Sequence, residues 1–186
     1  MSAFDVVMDD PIPDKGKILT AISLFWFSEL TSVIENHLIS STPAEYPEVC
    51  RKYAPQLEGR SMLVKKTAPL AVECIVRGYL SGSGWQEYLR TGHVCGIPLP
   101  KEMGESDKLR APIFTPSTKA EEGMHDENIS FERAEEILGK KIAEKVQRIS
   151  LQIYEFGRDL AAEKGIIVAD TKFEFGMLDG QIILID

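Results

Sequence analysis

The sequence predicts an α+β fold, a mostly antiparallel sheet with flanking helices, on three observations. Residues 61–66, 72–79 and 166–176 read as strands, the last two being rich in β-branched and aromatic residues. Asp179-Gly180 folds the last run back onto 181–186. Two stretches with helical spacing, one from Leu19 and one from about 141 to 164, supply the helices.

Residues 2–8 read as a short strand, and 11–16, holding Pro11 and Pro13, as a loop that cannot be helical. Leu19, Ile22, Trp26, Leu30 and Val33 then make one stripe, widened by Phe25 and Ile34 and expected to be core. Residues 40–59 are polar and proline-punctuated, a surface connection. After the strand at 61–66 and a break at 67–69, the strand at 72–79 alternates so that Glu73, Ile75 and Arg77 share one face, while Cys74 and Val76 share the other. Arg77 is thus a cation presented from inside a sheet.

Ser81-Gly82-Ser83-Gly84-Trp85 is a glycine-rich turn opening a short helix at 85–90, which Gly92 ends. Backbone N–H groups there would suit a phosphate, although such turns are mostly only turns. Residues 96–109 read as a loop, and 114–126 as a long, polar, irregular one, of a length associated with function. His125 in it is either a base or a solvated histidine beside Asp126. Ser130 caps a helix over 131–138 that Gly139 ends; the long helix buries Ile142, Val146, Ile149, Ile153 and Phe156 and stops at Gly165.

Composition narrows the function. The net charge of -8, with no long Lys/Arg run, argues against a nucleic-acid or membrane-surface partner. Cys50, Cys74 and Cys95 are odd in number and widely spaced, so neither a disulfide framework nor a zinc site is indicated, and a reduced cytoplasm fits best. Asp5, Asp9 and Asp10 stand where a signal peptide would need positive charge, and the apolar run at 18–30 is too short to span a bilayer.

The chemistry concentrates in the last hairpin. Alternation puts Asp170, Lys172 and Glu174 on one strand face and Ala169, Thr171, Phe173 and Phe175 on the other. Three charges of mixed sign are either a wet sheet face or a face that meets a metal or ligand. A two-residue Asp179-Gly180 loop would set Asp186 opposite Phe173, driving the acid among apolar groups. A three-residue loop, Leu178-Asp179-Gly180, sets it opposite Lys172, and this register is the one expected. Glu174 and Asp186 would then be diagonal neighbours roughly 7–8 Å apart, able to share a magnesium ion completed by phosphate oxygens.

Four clusters together resemble the SAICAR synthetase family of purine biosynthesis. They are Ser2-Ala3-Phe4-Asp5 with Ile12-Pro13-Asp14-Lys15-Gly16; the run from Val72 through Arg77 and Ser83 to Trp85; Phe114-Thr115-Pro116-Ser117-Thr118-Lys119 with His125-Asp126; and Asp170-Thr171-Lys172-Phe173-Glu174-Phe175-Gly176. They cover the chain in the family's order. The resemblance implies a single catalytic region, 1–186, with part of an ATP subdomain at about 1–80 and a substrate subdomain at about 81–186. It implies an ATP-dependent ligase that joins L-aspartate to the carboxylate of the aminoimidazole ribonucleotide CAIR through an acyl phosphate.

By the same resemblance Glu174 and Asp186 hold Mg2+ on the nucleotide, and Lys172 and Asp170 line the centre between nucleotide and CAIR. Arg77 and Ser83 bind CAIR, the segment Lys65, Lys66, Thr67 and Ala68 packs against adenine, and Asp5, Lys119 and Asp126 stand near aspartate. Asp5 reads equally as a capping or turn residue. The family's usual glycine-rich β segment ahead of Ser2 and its Thr-Pro-Asp-Ser-Ser-Arg segment beyond Asp186 are not in this sequence, so truncation at both ends and impaired turnover are expected. The alternatives are a non-catalytic binding fragment and a kinase-like phosphotransferase that has no use for aspartate. A homo-oligomer is left open.

Overall fold

The computed structural model describes residues 10, 12–118 and 127–186. Its elements begin with α1 (Lys15–Glu29), β1 (Leu38–Ser40), α2 (Ala54–Leu57), β2 (Leu63–Val64), β3 (Ala68–Pro69), β4 (Val72–Tyr79), α3 (Gly82–Thr91), β5 (His93–Val94) and β6 (Ile97–Pro98). There follow β7 (Lys108–Phe114), β8 (Ser117–Thr118), α4 (Phe131–Leu138), α5 (Lys140–Ala162), β9 (Asp170–Phe173), β10 (Phe175–Leu178) and β11 (Gln181–Leu184). The fold is α+β, and β1–β2, β4–β7, β4–β8, β4–β9 and β5–β6 pair antiparallel. Two compact units divide it, residues 1–68 with 176–186, and residues 69–175.

In the first unit, β1 pairs with β2 and the C-terminal hairpin closes on the segment after α1, where His37 N–H donates to Leu184 O at 3.1 Å and Leu184 N–H to Glu35 O at 2.9 Å. Tyr46 is buried, its hydroxyl donating to Ser61 O at 2.9 Å, and short 3-10 turns at Pro43–Glu45 and Glu48–Tyr53 fill the stretch expected to be a plain connection. Helix α1 starts at Lys15, inside the stretch read as loop: Pro13 forbids helix before it but not after. Its core face is Phe27, continued by Leu30 and Ile34. Leu19, Ile22 and Phe25, expected in the core, are instead exposed, as is Ile18. The helix is apolar around most of its girth, so spacing could not say which side would be covered.

The second unit is built on β4. Its pairing with β7 and β8 runs in one register, from Arg77↔Ile113 and Val76↔Phe114 to Glu73↔Ser117 and Val72↔Thr118. The two strands are one strand interrupted at Pro116, which has no N–H to give the ladder. That corrects parts of two loop readings: β6 and the start of β7 lie within 96–109, whose middle, 99–107, is irregular as expected, and the end of β7 and β8 lie within 114–118, while 119–126 is outside the described residues. On the other side of β4, β9 pairs through Cys74↔Phe173, Ile75↔Lys172, Val76↔Thr171 and Arg77↔Asp170. Helix α5 packs Val146, Ile149 and Ile153 into the core and Ser130 caps α4 by accepting from Arg133 N–H, as expected, whereas Ile142 and Phe156 are only half-buried and Tyr154, not in the expected stripe, is buried. Helix α3 begins at Gly82, so the glycine run is its first turn rather than a loop before it; Tyr88 and Leu80 pack with Val94, Cys95 and Leu109 as a smaller cluster.

Two readings of the last strand are corrected. Ile166 and Ile167 are exposed and precede the strand, and the run breaks at Glu174, so that β9 joins β4 while β10 turns into the hairpin. The turn is the two-residue one: Asp179 at φ 50 and Gly180 at φ 79 are both left-handed, the pattern that matches strand twist, and Leu178 stays in β10.

Candidate functional site

The second unit assembles a polar face on β4 and β9 by strand alternation alone. Arg77 is 4% exposed, and its guanidinium is held from four directions. Nε donates to Thr115 Oγ1 at 3.2 Å, Nη2 to Ser83 Oγ at 2.9 Å, and Nη1 to Ser81 O at 3.4 Å and Asp170 Oδ2 at 3.3 Å. Asp170 stands directly across the ladder and supplies the counter-charge a buried guanidinium requires. Two predicted residues, Ser83 and Asp170, are therefore joined through a third, Arg77. The Arg77 charge also reaches Cys95, whose thiol burial pushes up to about 12, with Glu87 adding to the rise and Arg77 opposing it.

Lys172, opposite Ile75, turns its ammonium to Glu73 Oε2 at 3.2 Å. Ser117 Oγ donates to the same oxygen at 3.2 Å. Lys172 is exposed and Glu73 largely covered, so the acid is the fixed partner and the amine the one available to a ligand. Glu73, Thr115 and Ser117 carry this arrangement and were not singled out beforehand. The signals for them were the alternation along 72–79 and the Phe114–Thr118 motif itself, obscured by reading that motif as loop.

In the first unit, Lys65 N–H donates to His37 O at 2.7 Å, and the segment from Lys65 to Ala68 leaves Lys66 and Ala68 exposed. Gly176 lets Thr67 approach closely, since a Cβ there would collide with the threonine side chain. His37 packs its ring against Phe27 with centroids 5.3 Å apart, and its Nε2 is buried with no hydrogen-bond partner among the described residues. Burial lowers the His37 pKa, while the Asp186 carboxylate pulls the other way.

Asp186 is exposed. The two-residue turn differs from the three-residue one on which the expected pairing of Glu174 with Asp186 rests. Glu174 belongs to the second unit and Asp186 to the first. Among the described residues no cluster of three or more His, Cys, Asp or Glu side chains forms a metal cage. Two hard carboxylate donors with the remaining positions left to phosphate and water is the composition magnesium accepts, so the residue types fit that ion. Asp5, Lys119, His125 and Asp126 lie outside the described residues. No described helix is long and apolar enough to cross a membrane.

The phosphoribosylaminoimidazole-succinocarboxamide synthases of Desulfosudis oleivorans and Geobacter sulfurreducens are 62% and 59% identical to this chain over 186 residues. The chain spans 64% and 63% of their lengths. Among solved structures, a SAICAR synthase from Saccharomyces cerevisiae complexed with SAICAR is similar over 100% of this chain and 63% of its own, at 44% identity and a TM-score of 0.88. A SAICAR synthetase in complex with ADP is similar at 27% identity and a TM-score of 0.74, over 100% of this chain and 69% of its own. The model of the family described as SAICAR synthetase matches residues 1–186, and the chain belongs to that family.

Proposed function

We propose that the chain serves an ATP-dependent carbon–nitrogen ligase that condenses L-aspartate with the carboxylate of CAIR in purine biosynthesis, in the cytoplasm. The observation that carries this reading is the β4–β9 face, where a buried, counter-charged arginine and an exposed, carboxylate-tethered lysine stand on neighbouring register positions. A carboxylate oxygen is a poor leaving group. Transfer of the γ-phosphoryl of ATP to that oxygen releases ADP and makes an acyl phosphate. The aspartate amine then attacks the acyl carbon, the C–O bond to phosphate breaks, inorganic phosphate departs and the amine loses a proton.

In this reading Lys172 and Asp170 act at the reacting carboxylate, with Lys172 offsetting the charge of the transferring phosphoryl group. Ser83, with Arg77 behind it, binds CAIR. The residues at 65–68 serve adenine, so that residues up to about 80 contribute to the nucleotide and those beyond to CAIR and aspartate. Glu174 and Asp186 would hold Mg2+, which when bound neutralises phosphate charge. Asp5, Lys119 and Asp126 are assigned to aspartate.

The test is a coupled ADP-release assay with product detection. ADP and SAICAR forming in equal amounts, and only with ATP, CAIR and aspartate all present, is the expected result. Phosphate transfer that proceeds without aspartate would replace this reading with the phosphotransferase one, and CAIR binding with no turnover would leave the chain a binding fragment.

A further inference from the structure

Strand β7 carries chemistry that the ligase reading does not use. Leu109 points into the cluster with Leu80 and Tyr88, so the alternation of the strand turns Lys108 and Arg110 the other way. There they meet α5, which comes close because Gly78 has no Cβ to collide with Tyr154. One turn beyond Tyr154, Arg158 lies over the tyrosine ring at 6.0 Å from its centroid. Tyr79 and Tyr154, together with Lys108, Arg110, Arg158 and Asp159, line a cavity of about 310 Å3.

Three cations from a strand and a helix share that cavity with the Asp159 carboxylate, and Glu155 also acts on Arg158, in a chain whose net charge is -8. Asp159 accepts from Arg158 Nε at 2.7 Å. The Asp159 carboxyl is held below its usual range by that hydrogen bond and, more weakly, by Lys108. Two carboxylates against three cations, both of them acting on Arg158, leave the surplus of positive charge on the strand side at Lys108 and Arg110, and converging like charges are unfavourable unless an anion joins them. The volume is at the lower end of small-ligand sites.

We propose that this cavity binds a small phosphate-bearing anion through Lys108, Arg110 and Arg158. The phosphate would take charge-assisted hydrogen bonds from the two guanidiniums and the ammonium, with the tyrosine rings beside it. The site is independent of the ligase chemistry, and either can fail alone.

The experiment is an amide-resolved NMR titration of the full chain with inorganic phosphate at constant ionic strength, with sodium chloride as the control. Saturating shifts at Lys108, Arg110 and Arg158, with a Kd of about 1 mM, are expected. Arg110→Gln and Arg158→Gln, at solvent-accessible positions, should each weaken binding roughly tenfold and leave the spectrum otherwise folded. Ribose 5-phosphate shifting the same amides at lower concentration would identify a phosphomonoester, and equal affinity for both would identify free phosphate; both support the site. Shifts no larger than those with chloride, or saturation unchanged in both variants, would overturn it.

Discussion

Two regions of this chain hold side chains in surroundings that do not suit them, and they do so in opposite ways. On β4 the second unit buries a guanidinium and surrounds it with Thr115, Ser83, the Ser81 carbonyl and Asp170. On α1 the first unit leaves Ile18, Leu19, Ile22 and Phe25 between 49% and 57% exposed. A buried charge without partners costs several kcal/mol, so the chain must specify every partner. An exposed apolar side chain only forgoes the burial gain, about 25 cal/mol per Å2, and its local structure specifies nothing. The first region is therefore over-determined and the second under-determined, a difference that mutation can measure. Trp26 in the first unit and Trp85 in the second report on each separately.

The largest effect is expected from Asp170→Ala, which removes the counter-charge and leaves Arg77 buried with neutral acceptors. A loss of about 3 kcal/mol is expected, read from urea unfolding followed at Trp85 in a Trp26→Phe background. A loss under roughly 0.5 kcal/mol would mean that the guanidinium is already hydrated, and the contrast between the regions would collapse.

The next sharpens the contrast within α1 itself. Phe27→Ala removes a buried ring and should cost about 3–4 kcal/mol, whereas Phe25→Ser, two residues earlier on the other face, should stay within about 0.5 kcal/mol and lessen aggregation. Unfolding followed at Trp26 measures both. Equal costs would show that the outer face of the helix is covered in solution.

The same contrast explains what the sequence made legible. Strand β4 and its facing residues were readable because alternation is local and Arg77, Glu73 and Ile75 occupy one parity. The capped pair α4 and α5 was readable because Ser130, Gly139 and Gly165 mark its ends. The grouping of Arg77 with Ser83 and Asp170 came from resemblance, and their hydrogen bonds depend on a ladder between residues 93 positions apart. Strand β7 was missed because Pro112 and Pro116 imitate a loop, although only one side of the strand needs hydrogen bonds to β4. The break at Glu174 was hidden for another reason: residues 170–175 alternate across it without interruption, and nothing in that alternation reveals that the two halves serve different partners. For α1, the covered side depends on what packs there, which spacing does not encode.

The smallest effect concerns His37, a histidine flanked by Asn36 and Leu38 with no sequence signal of burial. Burial lowers its folded pKa below 6.5, against the opposing pull of Asp186. The unfolded chain therefore takes up a proton first as pH falls, and the more protonated unfolded state is favoured. The stability His37 contributes is fully present above pH 6.5 and declines below it, by no more than about 1.4 kcal/mol per pH unit for one proton. Urea midpoints read at Trp26 between about pH 7.5 and 5.5 should slope downward in the native chain and flatten in His37→Gln, because the neutral amide cannot take the proton. Parallel slopes in the two proteins would assign the pH response to other groups. A slope of the opposite sign would mean that the Asp186 attraction outweighs burial, and that His37 is held as a cation rather than as the neutral ring whose Nε2 is enclosed without a described partner.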